Sequence, residues 1–179
     1  MKVEKENKFL FKETLALLKP ESTIVELGTI RDSNPKAEFT DGWSTLQWYL
    51  AGHEVHSIDT DFRALKICEL TLRLETTPRT KLPVFPYLVH CNALAFLREM
   101  WPKLDAPIDL LYIDAPIGQE AADCFMLADK WIQEGGLVLV DDIEENHTQR
   151  KELLLPAILE AGYVELHNNG RQSLLQKQG

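Results

Sequence analysis

Short apolar runs that end at an acidic residue recur along this chain. The first is Ile24-Val25-Glu26-Leu27-Gly28-Thr29. A β-branched, apolar run of this length followed by a glycine predicts a buried strand and a tight turn. The same grammar predicts strands over 22–27, 54–58, 87–91, 108–113 and 137–140. Between them the apolar positions space out to a helical period. Phe9, Leu10, Leu15, Leu17 and Leu18 predict a helix over 6–19 that Pro20 ends. Further helices are expected over 43–51, stopped by Gly52, and over 62–75, capped by Asp61. Three more are expected over 93–101, over 120–133 closed by Gly135-Gly136, and over 147–161 closed by Gly162 and bent at Pro156. Residues 163–167 and 173–176 flank Asn168-Asn169-Gly170, a hairpin signal.

One join breaks the rhythm. A helix should follow Gly28 at once, yet 30–41 is polar and the helix signal waits for Gly42-Trp43-Ser44-Thr45. The stretch is an insertion into the first strand–helix turn, with Thr40 or Asp41 as the expected N-cap. It would serve as a lid, as part of an acceptor site, or as a surface excursion.

Alternating strands and helices imply a parallel sheet with helices on both faces. In such sheets ligands bind beyond the carboxyl ends of the strands. Glu26, Asp59, Asp114 and Asp141 would therefore converge on one edge.

Composition narrows the field. The 179 residues suit one domain over 1–179, and 45% apolar with 26% charged residues is ordinary for a globular protein. A net charge of -9 argues against binding nucleic acid or anionic membranes through bulk electrostatics. No apolar run is long enough to span a bilayer, and 1–8 lacks the apolar core of a signal peptide. Cys68, Cys91 and Cys124 are scattered, which reads as reduced thiols in a cytoplasmic protein.

At Val25-Glu26-Leu27-Gly28, Ser57-Ile58-Asp59, 110–115 and 135–142 the chain resembles the class I S-adenosylmethionine-dependent methyltransferases. The last two stretches are similar to the small catechol-type O-methyltransferases. The resemblance implies a Rossmann-like, doubly wound, mostly parallel α/β sheet of seven strands with a C-terminal antiparallel hairpin. It also implies S-adenosylmethionine as cofactor, with the methyl group passing to a hydroxyl of a small-molecule acceptor.

Residue by residue, the resemblance places Glu26 near the methionine amino group and Gly28 and Thr29 in the cofactor turn. It places Asp59 on the ribose hydroxyls and Asp114 at the methionine portion or a metal. Ser44 and Thr45 would bind the cofactor carboxylate or simply cap their helix. Asn92 would pair with the adenine edge or act as an N-cap.

In the catechol-type branch a divalent cation holds the acceptor oxygens, and Asp114, Asp141 and Asp142 match its ligand positions. Three oxygen ligands would suit Mg²⁺, while a solvated Asp-Asp loop is the plain alternative. A metal-free route needs a base, and His147 stands near Asp142. Asp114, Asp141 and His147 are thus the catalytic candidates. A homodimer would supply an acceptor wall that this short chain lacks. Two other functions compete: a cofactor-binding module without catalysis, and an NAD-dependent oxidoreductase. The latter would need a compact GxGxxG turn, and Gly28 and Gly42 are too far apart.

Overall fold

The computed structural model describes residues 9–32, 43–76, 84–144 and 149–179. Most of the 30–41 insertion, and His147, lie outside them.

Seven strands form one sheet in the order β3-β2-β1-β4-β5-β7-β6. β1 (Thr23–Leu27), β2 (Glu54–Asp59), β3 (Tyr87–His90), β4 (Ile108–Ile113) and β5 (Ile132–Val140) run parallel. β7 (Ser173–Lys177) slots between β5 and β6 (Tyr163–Asn168), antiparallel to both. The expected fold class is therefore observed.

The residues of each strand alternate between two cores, as a pleated strand buried on both faces requires. Val25, Leu27, Leu111, Ile113, Val138 and Val140 pack with Phe96, Trp101 and Phe125. That face carries α4 (Ala93–Ala95), a π-helical turn Phe96–Met100, α5 (Trp101–Leu104), α6 (Gly118–Ala128) and α7 (Leu155–Glu160). Ile24, Leu110, Tyr112, Leu137 and Leu139 face the other way, with Phe11, Trp48, Cys68 and Leu72. Here lie α1 (Phe11–Leu17), α2 (Ser44–Leu50) and α3 (Phe62–Glu75). Phe11, Trp48 and Tyr112 meet edge to face at 5.0 to 6.2 Å between centroids.

Several boundaries differ from the expectation. Gly135 and Gly136 do not close a helix. α6 ends at Ala128, a 3₁₀ turn covers Asp129–Trp131, and β5 already starts at Ile132. The glycines sit inside β5, where the β4 register slips between Ile108 and Leu110. A Cβ on Gly136 would lie 2.7 Å from the Ile132 side chain, so an irregularity in the strand is what needs this glycine. The last helix begins as a π-helical turn, Arg150–Leu154. Pro156 stands two residues beyond that π-helical turn, inside a continuous run of helix, where it removes one helical N–H donor. Asp61 caps α3 as expected, accepting from the Arg63 amide.

Candidate active site at the carboxyl edge

The first strand–helix join is shaped by Gly28. Its φ is +116°, and an added Cβ would lie 3.0 Å from the Ala115 amide nitrogen and 3.2 Å from Asp114 Oδ2. Only glycine allows β1 and β4 to end this close together. The Leu27 carbonyl accepts from both Asp114 and Ala115, at 3.0 and 2.7 Å.

Beyond this junction lies a cleft lined by Gly28, Asp59, Cys91, Asn92, Ala115 and Glu120 among others. Three residues expected at the cofactor are thus gathered: Gly28, Asp59 and Asn92. Asp59 Oδ1 accepts the Asp61 amide at 2.8 Å. Asp59 Oδ2 is buried and has no partner among the described residues. A buried acceptor left unpaired is costly in a folded chain, which marks a place where a donor belongs. Asn92 serves its own helix, accepting from the Ala95 amide at 3.2 Å. Its amide group also reaches across the cleft to Glu120 Oε1 at 2.8 Å. Sequence reasoning missed Glu120 and Cys91; the only signal was an acidic residue in the first turn of a helix after β4, and the last residue of an apolar run.

Glu26 stands elsewhere. It is fully buried on the α1–α3 face, level with Ser57 of β2 and Tyr112 of β4. Ser44 Oγ donates to Oε1, while Thr45 Oγ1 and Ser57 Oγ donate to Oε2 at 2.5 and 2.7 Å. Thr29 Oγ1 lies 3.5 Å from Thr45 Oγ1. Four expected cofactor contacts, Glu26, Thr29, Ser44 and Thr45, are therefore bonded to one another or to Ser57. Burial raises the Glu26 carboxyl to about 7, against the opposing pull of the three hydroxyls.

Asp141 and Asp142 close the other half of the edge. Asp141 is buried and takes the Tyr112 hydroxyl at 2.6 Å, the Asp142 amide at 2.8 Å and Arg171 Nε at 3.1 Å. Asp142, held at a φ of 51°, lies 3.4 Å from the Arg171 guanidinium and 3.8 Å from that of Arg150. Arg150 is itself buried and donates to the carbonyls of Asp114, Pro116 and Asp141. These arginines occupy the faces that the Asp pair would turn to an ion, so the residues present do not fit Mg²⁺. Among the described residues no group of three or more metal-binding side chains is found.

Asp114 faces the Gly28 turn. Its side chain is 21% exposed, beside Gly28, with Arg31 4.0 Å away. Burial, then the Asp141 carboxylate, push its pKa up to about 7, while Arg31 and Arg150 pull the other way.

No protein-family model and no curated protein matches the sequence. Solved structures do. An O-methyltransferase from Bacillus cereus in complex with S-adenosylhomocysteine superposes with a TM-score of 0.62 at 16% identity, over 95% of this chain and 80% of that one. The fold is that of the class I methyltransferases. The ribosomal protein L11 methylase from Lactobacillus delbrueckii subsp. bulgaricus shares it, with a TM-score of 0.63, 16% identity and coverage of 96% and 77%. So does the N-methyltransferase NodS from Bradyrhizobium japonicum, at 0.58, 12%, 94% and 94%. The methyltransferase fold thus spans oxygen and nitrogen methylation among these proteins, and it places the cleft of this chain at the strand order reversal between β1 and β4. No helix among the described residues is long and apolar enough to cross a membrane.

Proposed function

We propose that this chain is an S-adenosylmethionine-dependent methyltransferase acting on a hydroxyl of a small-molecule acceptor. The observation that carries the reading is Asp59, lining a cleft at the carboxyl edge of a methyltransferase fold with one buried carboxylate oxygen unpaired among the described residues. Two ribose hydroxyls would supply the donors this carboxylate lacks. Cys91, Asn92 and Glu120 would flank the adenine, and the Gly28 turn with the neighbouring Asp114 would flank the methionine portion. When bound, the cofactor supplies an electrophilic methyl group on a sulfonium sulfur.

Asp114 holds the acceptor hydroxyl and takes its proton. With the cofactor bound, the oxygen so freed would bond to the methyl carbon, and the C–S electron pair would leave on sulfur. A carboxylate whose pKa is near 7 is matched to this role. The flanking walls supply orientation, which is most of what a methyl transfer asks of a protein. An acceptor that is small and not a polyanion agrees with the net charge of -9.

Calorimetry with S-adenosylmethionine, S-adenosylhomocysteine and NAD tests the reading. Binding of the first two is expected; binding of NAD alone would overturn it. In a methylation assay the rate should rise with pH through about 7 as Asp114 ionises, and Asp114→Asn should remove that step.

A further inference from the structure

Six oxygens converge at the ends of β4 and β5. They are the carbonyls of Asp114, Pro116 and Asp141, one carboxylate oxygen of Asp141 and both of Asp142. An all-oxygen set carrying two carboxylates has the donor chemistry of a hard divalent cation. Here every one of those oxygens faces a guanidinium. Arg150 takes the three carbonyls and Asp142 Oδ2, and it is 3% exposed at its side chain. Arg171 comes from the β6–β7 turn, takes Asp141 Oδ1 and Asp142 Oδ1, and stacks 4.4 Å over the Phe9 ring. The planar fork of arginine reaches several such oxygens at once, and the sandwich between Phe9 and the Asp pair fixes the orientation of Arg171.

We infer that Arg150 and Arg171 are the resident cations of this site, and that the Asp141–Asp142 edge takes up a divalent ion only when Arg171 is removed. Arg150 is walled in and locks the backbone. Arg171, 19% exposed, is the removable half. It acts as a positioning residue: it neutralises Asp141 and Asp142 and keeps that edge free of bound metal. The inference does not depend on the acceptor or on the cofactor.

The test is a Mn²⁺ titration of the full chain, read by the electron paramagnetic resonance signal of free Mn²⁺, without cofactor or acceptor. Wild type should leave the signal unchanged. Arg171→Met should bind Mn²⁺ tighter by on the order of a hundredfold, the scale of removing one unit charge about 4 Å away. Arg171→Lys, which keeps the charge, should behave as wild type. Asp142→Asn placed in the Arg171→Met background should abolish the gain. Mn²⁺ binding by wild type that Asp142→Asn removes would overturn the inference. So would a folded Arg171→Met protein, judged by near-ultraviolet circular dichroism, that binds no Mn²⁺. Should Arg171→Met fail to fold, Arg171→Gln and the wild-type titration decide the matter in the same way. Cofactor calorimetry is a separate measurement, so failure here leaves the methyltransferase reading standing.

Discussion

Glu26 and Asp59 lie on neighbouring strands, and both look like ligand contacts in the sequence, but their surroundings differ in kind. Both oxygens of Glu26 are taken by hydroxyls of α2 and β2, and no part of it meets solvent. Asp59 spends one oxygen on the following turn and leaves the other unpaired beside the cleft. The same residue class at the same end of a sheet thus ties a helix to it in one case and leaves an acceptor unpaired at a cleft in the other. What separates them is whether the chain brings its own donors.

Four measurements would break or sharpen that contrast. The largest effect is expected from Glu26→Ala, which strands three buried hydroxyls. It should cost about 3 kcal/mol or more in urea unfolding, and lower the melting temperature by roughly 2–4 °C per kcal/mol for a chain of this length. A small effect would mean that water or rearrangement replaces the carboxyl.

The pH dependence of stability comes next. Glu26 has a folded pKa of about 7 against an ordinary 4.5. The native state therefore holds the proton more tightly than the unfolded chain. Its stabilising contribution is complete below pH 4.5 and is lost as pH rises through 7, an effect of roughly 3 kcal/mol at most. The urea midpoint of wild type should fall across that window, and Glu26→Gln should flatten the fall. Asp114, whose pKa is raised as well, contributes in the same sense, so Asp114→Asn is the control that separates the two.

Asp59→Asn should reverse the pattern of Glu26→Ala. Cofactor affinity by calorimetry should drop by about 1–3 kcal/mol as the ribose bonds are lost, with the melting temperature nearly unchanged. Equal affinity would remove Asp59 from the site. The smallest change is expected for Tyr112→Phe. It takes one donor from Asp141 and should cost about 1 kcal/mol of stability, leaving cofactor affinity as it was.

The strands were legible because apolar runs such as 108–113 admit few other readings. The hairpin was legible because Asn169-Gly170 is a turn whose chemistry is local. The ends of α6 and β5 were not, since two glycines read as a helix stop when the register slip they serve lies across the sheet, at Ile108. At the site, Asp59 and Gly28 could be placed because a strand-end position fixes where they go. The hydroxyl enclosure of Glu26 could not, because its partners are 18 to 31 residues away. Arg150 did leave a trace: it shares a buried stripe with Leu154 and Ile158, four and eight residues on, and a charge on an apolar face needs a buried partner. Arg171, in a polar turn, left none.

The hydrogen bond from the Leu10 amide to the Gln172 side chain joins points 162 residues apart. β7 likewise enters the sheet between two strands that precede it in the chain. During synthesis Phe9 and Leu10 are made well before the turn and strand they rest on, 162 residues before Gln172 in the case of Leu10. Until then β5 has one open flank and the opening segment has no seat. Completion of this sheet is therefore a late event, slow by its topology and sensitive to anything that delays β7. A nascent chain halted before β7 would expose the apolar flank of β5, and that is where it would be expected to stick.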